Sequence, residues 1–173
     1  LFDTETSVLA TERNASIYKT NMWPHIVQLS YIVYDTEHNE LIGLEDDYIN
    51  IPDTVIMDPG SVEIHKITSE QLRNGITIIE ALEKFNTWAD KVDLIIAHNV
   101  SFDKRMIMVE GIRNKIKMNI VDTYCTMKNS INLCKIERSW PNGDKYFKYP
   151  KLSELYVYLF NKEPKNTHNA LVD

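Results

Sequence analysis

Several things are scarce in this chain. Among 173 residues there are two cysteines, five glycines and six prolines. Cys125 and Cys134 lie outside any paired zinc spacing, which excludes a cysteine-built metal module and a disulfide framework. They read as reduced thiols, and hence as a sign of a cytoplasmic or nuclear compartment. There are no repeats, low-complexity tracts or interdomain linkers. Long apolar runs are missing too: Leu94-Ile95-Ile96-Ala97 suits one buried strand, and there is no charged-then-apolar leader, so no membrane partner is expected. Net positive charge is also lacking, at −6 overall. That balance argues against a polyanionic partner until it is mapped. Residues 1–100 carry 17 acidic and 6 basic side chains, whereas residues 101–173 carry 8 acidic and 13 basic. The second half is basic enough for phosphate contacts, though not for tight non-specific binding.

What is present is ordinary for one soluble domain: 43% hydrophobic and 25% charged residues, with length enough for a substantial core. Ile26 to Tyr34 is apolar and β-branched, followed by a turn through Asp35–Asn39 and a second strand over Leu41 to Ile51, hence a hairpin. Thr77-Ile78-Ile79-Glu80 is a capping box opening a helix, with Ile78, Leu82, Phe85 and Trp88/Ala89 on one face. Val92 to Ala97 reads as a buried strand and Phe102 to Glu110 as a helix starting at Asp103. A short strand over Ile120–Thr123, a helix to about Leu133, a turn at Trp140–Asp144 with a strong Asn-Gly signal, and a helix marked by Leu152, Leu155, Tyr156 and Leu159 complete the pattern. The order β-β-β-α-β-α-β-α-α is an α/β layout with an antiparallel hairpin at the start. Leu-Phe-Asp reads as the end of a strand, and Asn169 to Asp173 as the first turns of a helix. The expectation is one domain over 1–173, cut short at both ends.

Five side chains in three short segments carry the chemistry. Asp3 and Glu5 stand one residue apart, so on a strand both carboxylates address the same face. Asp103 follows a buried strand and His98-Asn99, near a helix start where an acid is favoured by the helix dipole. His98 reads as a core histidine or one beside the site more readily than as a metal ligand, and Asn99 as a partner for a sugar or the local backbone. His168 and Asp173 are five apart, which does not bring them face to face on a regular helix. His168 is therefore expected in the loop before that helix, as a base whose unperturbed pKa is about 6.5. Four carboxylates and an imidazole can hold two divalent cations and deprotonate a water, the equipment for metal-assisted phosphodiester cleavage.

In order and spacing, Asp3-x-Glu5, His98-Asn99-x-x-Phe102-Asp103 and His168-x-Ala170-x-x-Asp173 resemble the DnaQ-like (DEDDh) 3′–5′ exonuclease family. The likeness extends through Pro24 to Asp35 and Ile64–Thr68, nearly the whole chain. The sister group carries a tyrosine four residues before the last Asp, where this chain has Asn169, so the histidine subgroup fits better. The resemblance implies an RNase H-like fold, a mixed five-stranded sheet flanked by helices. It implies two Mg²⁺ or Mn²⁺ ions, with Asp3 bridging both, Glu5 and Asp173 on the ion that activates water, Asp103 beside the second, and His168 taking the proton. Thr4, Thr6, His98, Asn99 and Phe102 are the expected contacts to the 3′ end. Where many members continue Asp-x-Glu-Thr-Thr-Gly, this chain reads Thr6-Ser7-Val8, which alters how closely the backbone approaches the terminal nucleotide.

A second constellation, Lys135 to Lys151, interleaves Arg138, Trp140, Lys145, Tyr146, Phe147, Lys148 and Tyr149. Basic groups among aromatics suit a single strand approaching the site; a hairpin packing its aromatics on a helix is the plainer reading. The expected activity is a 3′–5′ exonuclease on single-stranded or frayed DNA ends, in a proofreading unit tied to a DNA polymerase or larger parent chain. An exoribonuclease trimming RNA is the nearest alternative. A non-catalytic, polymerase-recruiting interaction module is the other.

Overall fold

The computed structural model describes residues 1–8 and 15–164. Strand β1 (Phe2–Thr6) pairs antiparallel with β2 (Ile26–Asp35), which pairs antiparallel with β3 (Glu40–Asn50). The two-residue β4 (Ile76–Thr77) adds to β3 in parallel. Beside β1 lies β5 (Ile95–Ala97), which pairs in parallel with β6 (Thr123–Cys125). The mixed α/β layout is the one expected. Two details differ. β1 does not end at Asp3 but runs on to Thr6, because its ladder with β2 continues down to Ile26. The strand expected over Ile120–Thr123 sits at Thr123–Cys125 instead, where it finds β5 as a partner.

The sheet's apolar side is set by strand alternation. Phe2, Leu29, Tyr31 and Val33 share one face, and Phe85 of α3 (Ile78–Ala89) packs its ring 5.4 Å from Phe2 and 5.6 Å from Tyr31. The expected capping box opens α3: the Thr77 hydroxyl accepts from the Glu80 amide, and the Glu80 carboxylate accepts from Thr77. Its bonds to Thr77 hold the Glu80 carboxyl below the usual carboxylate range. Trp88 lies under Gly43, where an added Cβ would stand 2.8 Å from the indole, so β3 needs a glycine there.

Two short helices, α1 (Pro59–His65) and α2 (Ser69–Arg73), are announced by caps that the hydrophobic pattern passes over: Asp58 accepts from Ser61, and Thr68 with Gln71 forms a second capping box. Helix α4 (Val100–Asn114) is longer than its expected span. It starts earlier because Asn99 takes the left-handed conformation, φ 66°, and turns the chain from β5 into the helix within two residues. It passes through Gly111 because the chain returns there: a Cβ would lie 2.6 Å from Met118 Cγ and 2.8 Å from the Ile116 carbonyl. The single helix expected up to Leu133 is two pieces, α5 (Thr126–Asn129) and α6 (Ile131–Cys134), divided at Ser130, whose hydroxyl donates back to the Thr126 carbonyl at 2.6 Å. Strands β7 (Glu137–Ser139) and β8 (Lys145–Phe147) form a hairpin, and α7 (Leu152–Phe160) follows.

Arg113, near the end of α4, pins the segment that leads into β2. It donates to the Pro24 carbonyl at 2.8 Å, to the carbonyls of Thr20 and Trp23, and to Glu110 at 2.6 Å. Glu110 is 2% exposed and also faces the Ile26 amide and His25. Removing the guanidinium strands a buried carboxylate and three carbonyls. Arg113→Ala is therefore expected to cost about 3 kcal/mol or more in urea denaturation. Loss of under about 1 kcal/mol would show that water replaces the clamp without penalty.

Candidate active site

Asp3 and Glu5 lie on the face of β1 opposite Phe2, Thr4 and Thr6, as their alternation requires, and both are half-buried. Asp103 stands in the first turn of α4 and is 2% exposed. Thr4 joins the two elements: its amide donates to Asp103 Oδ1 at 3.2 Å and its hydroxyl to the same oxygen at 2.8 Å. Thus the residue between the two strand carboxylates holds the third. Burial pushes the Asp103 carboxyl up to about 7 against an ordinary value of 3.8, with the two Thr4 donors pulling the other way.

Such a carboxylate is costly to ionise in place, and a divalent cation beside it would remove that cost. The donor set is entirely carboxylate oxygen, hard ligands suited to Mg²⁺ or Mn²⁺. The fit to the ions is chemical. Among the described residues no group of three or more His, Cys, Asp or Glu side chains surrounds a common point. His168 and Asp173, expected as the base and the fourth ligand, lie outside the described residues.

The other expected contacts have definite places. Thr4 and Thr6 are buried; the Thr6 hydroxyl donates to the Val8 carbonyl at 3.0 Å. Asn99 makes the left-handed turn before α4, and Phe102 is half-buried one position before Asp103, packed against the core. His98 has protein partners at both ring nitrogens: Nε2 lies 3.1 Å from the Pro150 carbonyl and Nδ1 3.0 Å from the Thr126 hydroxyl. Because a carbonyl only accepts, Nε2 carries a proton there. His98 therefore ties the end of β5 to α5 and to the chain leaving β8.

Sequence reasoning passed over the row behind the strand carboxylates. In the β1–β2 register Ser30 faces Asp3 and Gln28 faces Glu5. Ser30 is 0% and Gln28 1% exposed, and both donate to Asp46 Oδ1, at 2.5 and 2.7 Å. Directly opposed residues on one face hold their Cβ atoms about 5 Å apart, so this braced pair backs the two carboxylates. The signal was available: two polar residues at alternate positions inside the apolar run Ile26 to Val33.

Comparison with known proteins follows the same line. Residues 1–173 match the RNase_T family model, described as exonuclease. DNA polymerase III PolC-type from Mycoplasmopsis pulmonis (strain UAB CTIP) is 27% identical over 166 residues, covering 86% of this chain and 11% of that protein. Escherichia coli exonuclease I, solved in complex with a dA16 oligonucleotide, aligns over 99% of this chain and 37% of its own, with a TM-score of 0.71 at 19% identity. Exonuclease X, solved in complex with 5′ overhanging duplex DNA, aligns over 99% of this chain and 80% of its own, with a TM-score of 0.58 at 19% identity. These structural likenesses show the fold. The chain spans only 11% and 37% of the PolC-type and exonuclease I relatives.

The Asp103 environment makes a prediction about stability. A carboxyl raised from 3.8 to about 7 on folding stays protonated in the folded state while the unfolded chain ionises, so its contribution falls as pH rises through that window. Without divalent ions, Asp103→Asn should therefore be increasingly more stable than wild type from pH 3.8 toward about 7, level above it, when Tm is followed by circular dichroism. Magnesium should raise the wild-type Tm most at the upper end and leave the variant nearly unmoved. A pH-independent difference between the two proteins would refute the buried-carboxylate assignment.

Proposed function

We propose 3′–5′ hydrolysis of phosphodiester bonds, with release of nucleoside 5′-monophosphates, for this chain, which belongs to the RNase_T exonuclease family. The observation that carries the proposal is the pair of Thr4 hydrogen bonds that hold the Asp103 carboxylate against the strand bearing Asp3 and Glu5. Asp3, Glu5 and Asp103, joined by Asp173, would hold two divalent ions. Bound there, Mg²⁺ or Mn²⁺ supplies charge stabilisation for the attacking and leaving oxygens of an in-line displacement. His168 accepts the proton of the attacking water, a task suited to an imidazole near neutral pH. The carboxylates keep the charge of the empty site negative and so disfavour a phosphate until the cations are in place.

DNA is the proposed substrate, as single strands or frayed 3′ ends. Support comes from the oligonucleotide and DNA complexes of exonucleases I and X and from the PolC-type relative. That relative also supports a proofreading setting beside a polymerase. Among the described residues no helix is long and apolar enough to cross a membrane.

The test is digestion of DNA and RNA strands labelled at either end, with magnesium, manganese or chelator. Metal-dependent mononucleotide release from DNA 3′ ends is expected. Release from RNA alone would overturn the DNA preference, and absence of release under every condition would favour the recruiting module. Asp3→Ala should abolish turnover with an unchanged circular dichroism spectrum. His168→Ala should slow hydrolysis by roughly 10²–10⁴-fold while calorimetric metal binding persists. Near-wild-type rates in either variant would remove that residue from its role.

A further inference from the structure

A hairpin packing its aromatics on a helix is the plainer reading of the β7–β8 segment, but among the described residues three of its aromatics stay largely exposed. Trp140 is 55% exposed, Phe147 44% and Tyr149 53%. Trp140 instead stacks on Tyr146 within the hairpin, ring centroids 4.5 Å apart and planes 27° apart, beyond a turn closed by Trp140–Asp144 and Gly143–Trp140 backbone bonds. The stack covers one side of the indole while leaving more than half of the residue exposed to solvent. Arg138 lies directly across from Tyr146 in the ladder, so guanidinium and stacked rings share one face.

Charge is concentrated in the same segment. From Lys135 to Lys151 there are five basic residues against two acidic, in a chain whose net charge is −6. Lys145 is paired with Glu137 and Lys148 with Glu154, but among the described residues neither Arg138 nor Lys135 has a carboxylate within salt-bridge distance. The base of the hairpin is fastened to the candidate active site. Pro150, three residues beyond β8, is buried, and its carbonyl accepts from His98, at the end of the strand that turns into α4 and Asp103. Only four residues separate Pro150 from Tyr146, so the stack lies within about 13 Å of chain from that anchor.

We propose that this hairpin is the landing surface for single-stranded DNA whose 3′ end enters the carboxylate site. Bases stack on Trp140, and Arg138 and Lys135 take the backbone phosphates. Sequence-tolerant binding by exposed aromatics among cations is the general chemistry of single-strand recognition. The anchoring through Pro150 and His98 keeps the platform at a fixed distance from the reacting end. This inference rests on the exonuclease reading, and its test separates the two.

Binding of the intact protein to labelled oligothymidine of about a dozen nucleotides is measured by fluorescence anisotropy with calcium in place of magnesium. Hydrolysis of the p-nitrophenyl ester of thymidine 5′-monophosphate, too small to reach the hairpin, is followed separately with magnesium. Trp140→Ala with Arg138→Ala should weaken oligonucleotide binding about 10-fold or more, flatten the log K against log salt slope by about one, and leave ester hydrolysis unchanged. Trp140→Phe should restore most of the affinity. Equal affinity and slope in the double variant overturns the proposal, as does binding confined to an RNA strand of equal length. If the wild type binds through the hairpin yet fails to hydrolyse the ester, the hairpin stands and the exonuclease reading falls.

Discussion

The hydrogen bonds from Thr4 to Asp103 are the contact on which the rest of the site depends. They join the strand that carries two carboxylates to the helix that carries a third, across 99 residues of sequence. Like charges do not gather without compensation, and in this protein the compensation is partial. Both Thr4 donors go to one carboxylate oxygen, and burial still raises the Asp103 carboxyl to about 7. A carboxyl buried this way is costly to ionise in place. A hard cation beside it would remove that cost, which is the condition for coupling metal binding to folding.

Holding such a site requires stiff surroundings on every side. Behind β1, Ser30 and Gln28 are fully buried and fastened to Asp46. At the carboxyl end of β5, His98 spends both ring nitrogens on Thr126 and Pro150. At the far end of α4, Arg113 and Glu110 fix the helix against the chain entering β2. The helix that presents Asp103 is therefore anchored at its start by β1 and at its end by the start of β2, neighbours in one sheet. Displacing Asp103 would require breaking hydrogen bonds at both ends of α4.

Much of this was legible in the residues. The Asp3-x-Glu5 alternation, the β2–β3 hairpin, the Thr77–Glu80 capping box and the Asn-Gly turn at 142–143 are local signals, and each has its expected form. What was not legible is contact between distant parts of the chain. Thr4 carries a bond to Asp103 in α4 that nothing nearby in sequence announces. Gly111 looked like a place for a helix to stop, yet it is kept inside α4 by the return of Met118. The helix expected through Leu133 breaks because the Ser130 hydroxyl competes for a backbone carbonyl, a preference of side-chain geometry that hydrophobic period does not report. The alternating polar pair Gln28 and Ser30 could have been found by the rule that a polar residue inside an apolar strand needs a partner.

The same reasoning accounts for the uneven charge along the chain. The first hundred residues contribute two site carboxylates and the acidic outer strands, and repel a polyanion wherever they are exposed. Phosphates would approach most easily from the second half, where basic side chains outnumber acidic ones. A long-range field of this kind would orient an incoming strand, although at physiological salt it decays within about 8 Å. Short-range contacts must therefore begin close to the reacting end. His98 satisfies that requirement with one imidazole: its ring joins the turn that leads to Asp103 to the chain leaving the most aromatic and basic segment of the protein. On the proposed function, an acidic protein would in this way handle an acidic polymer without a positive net charge.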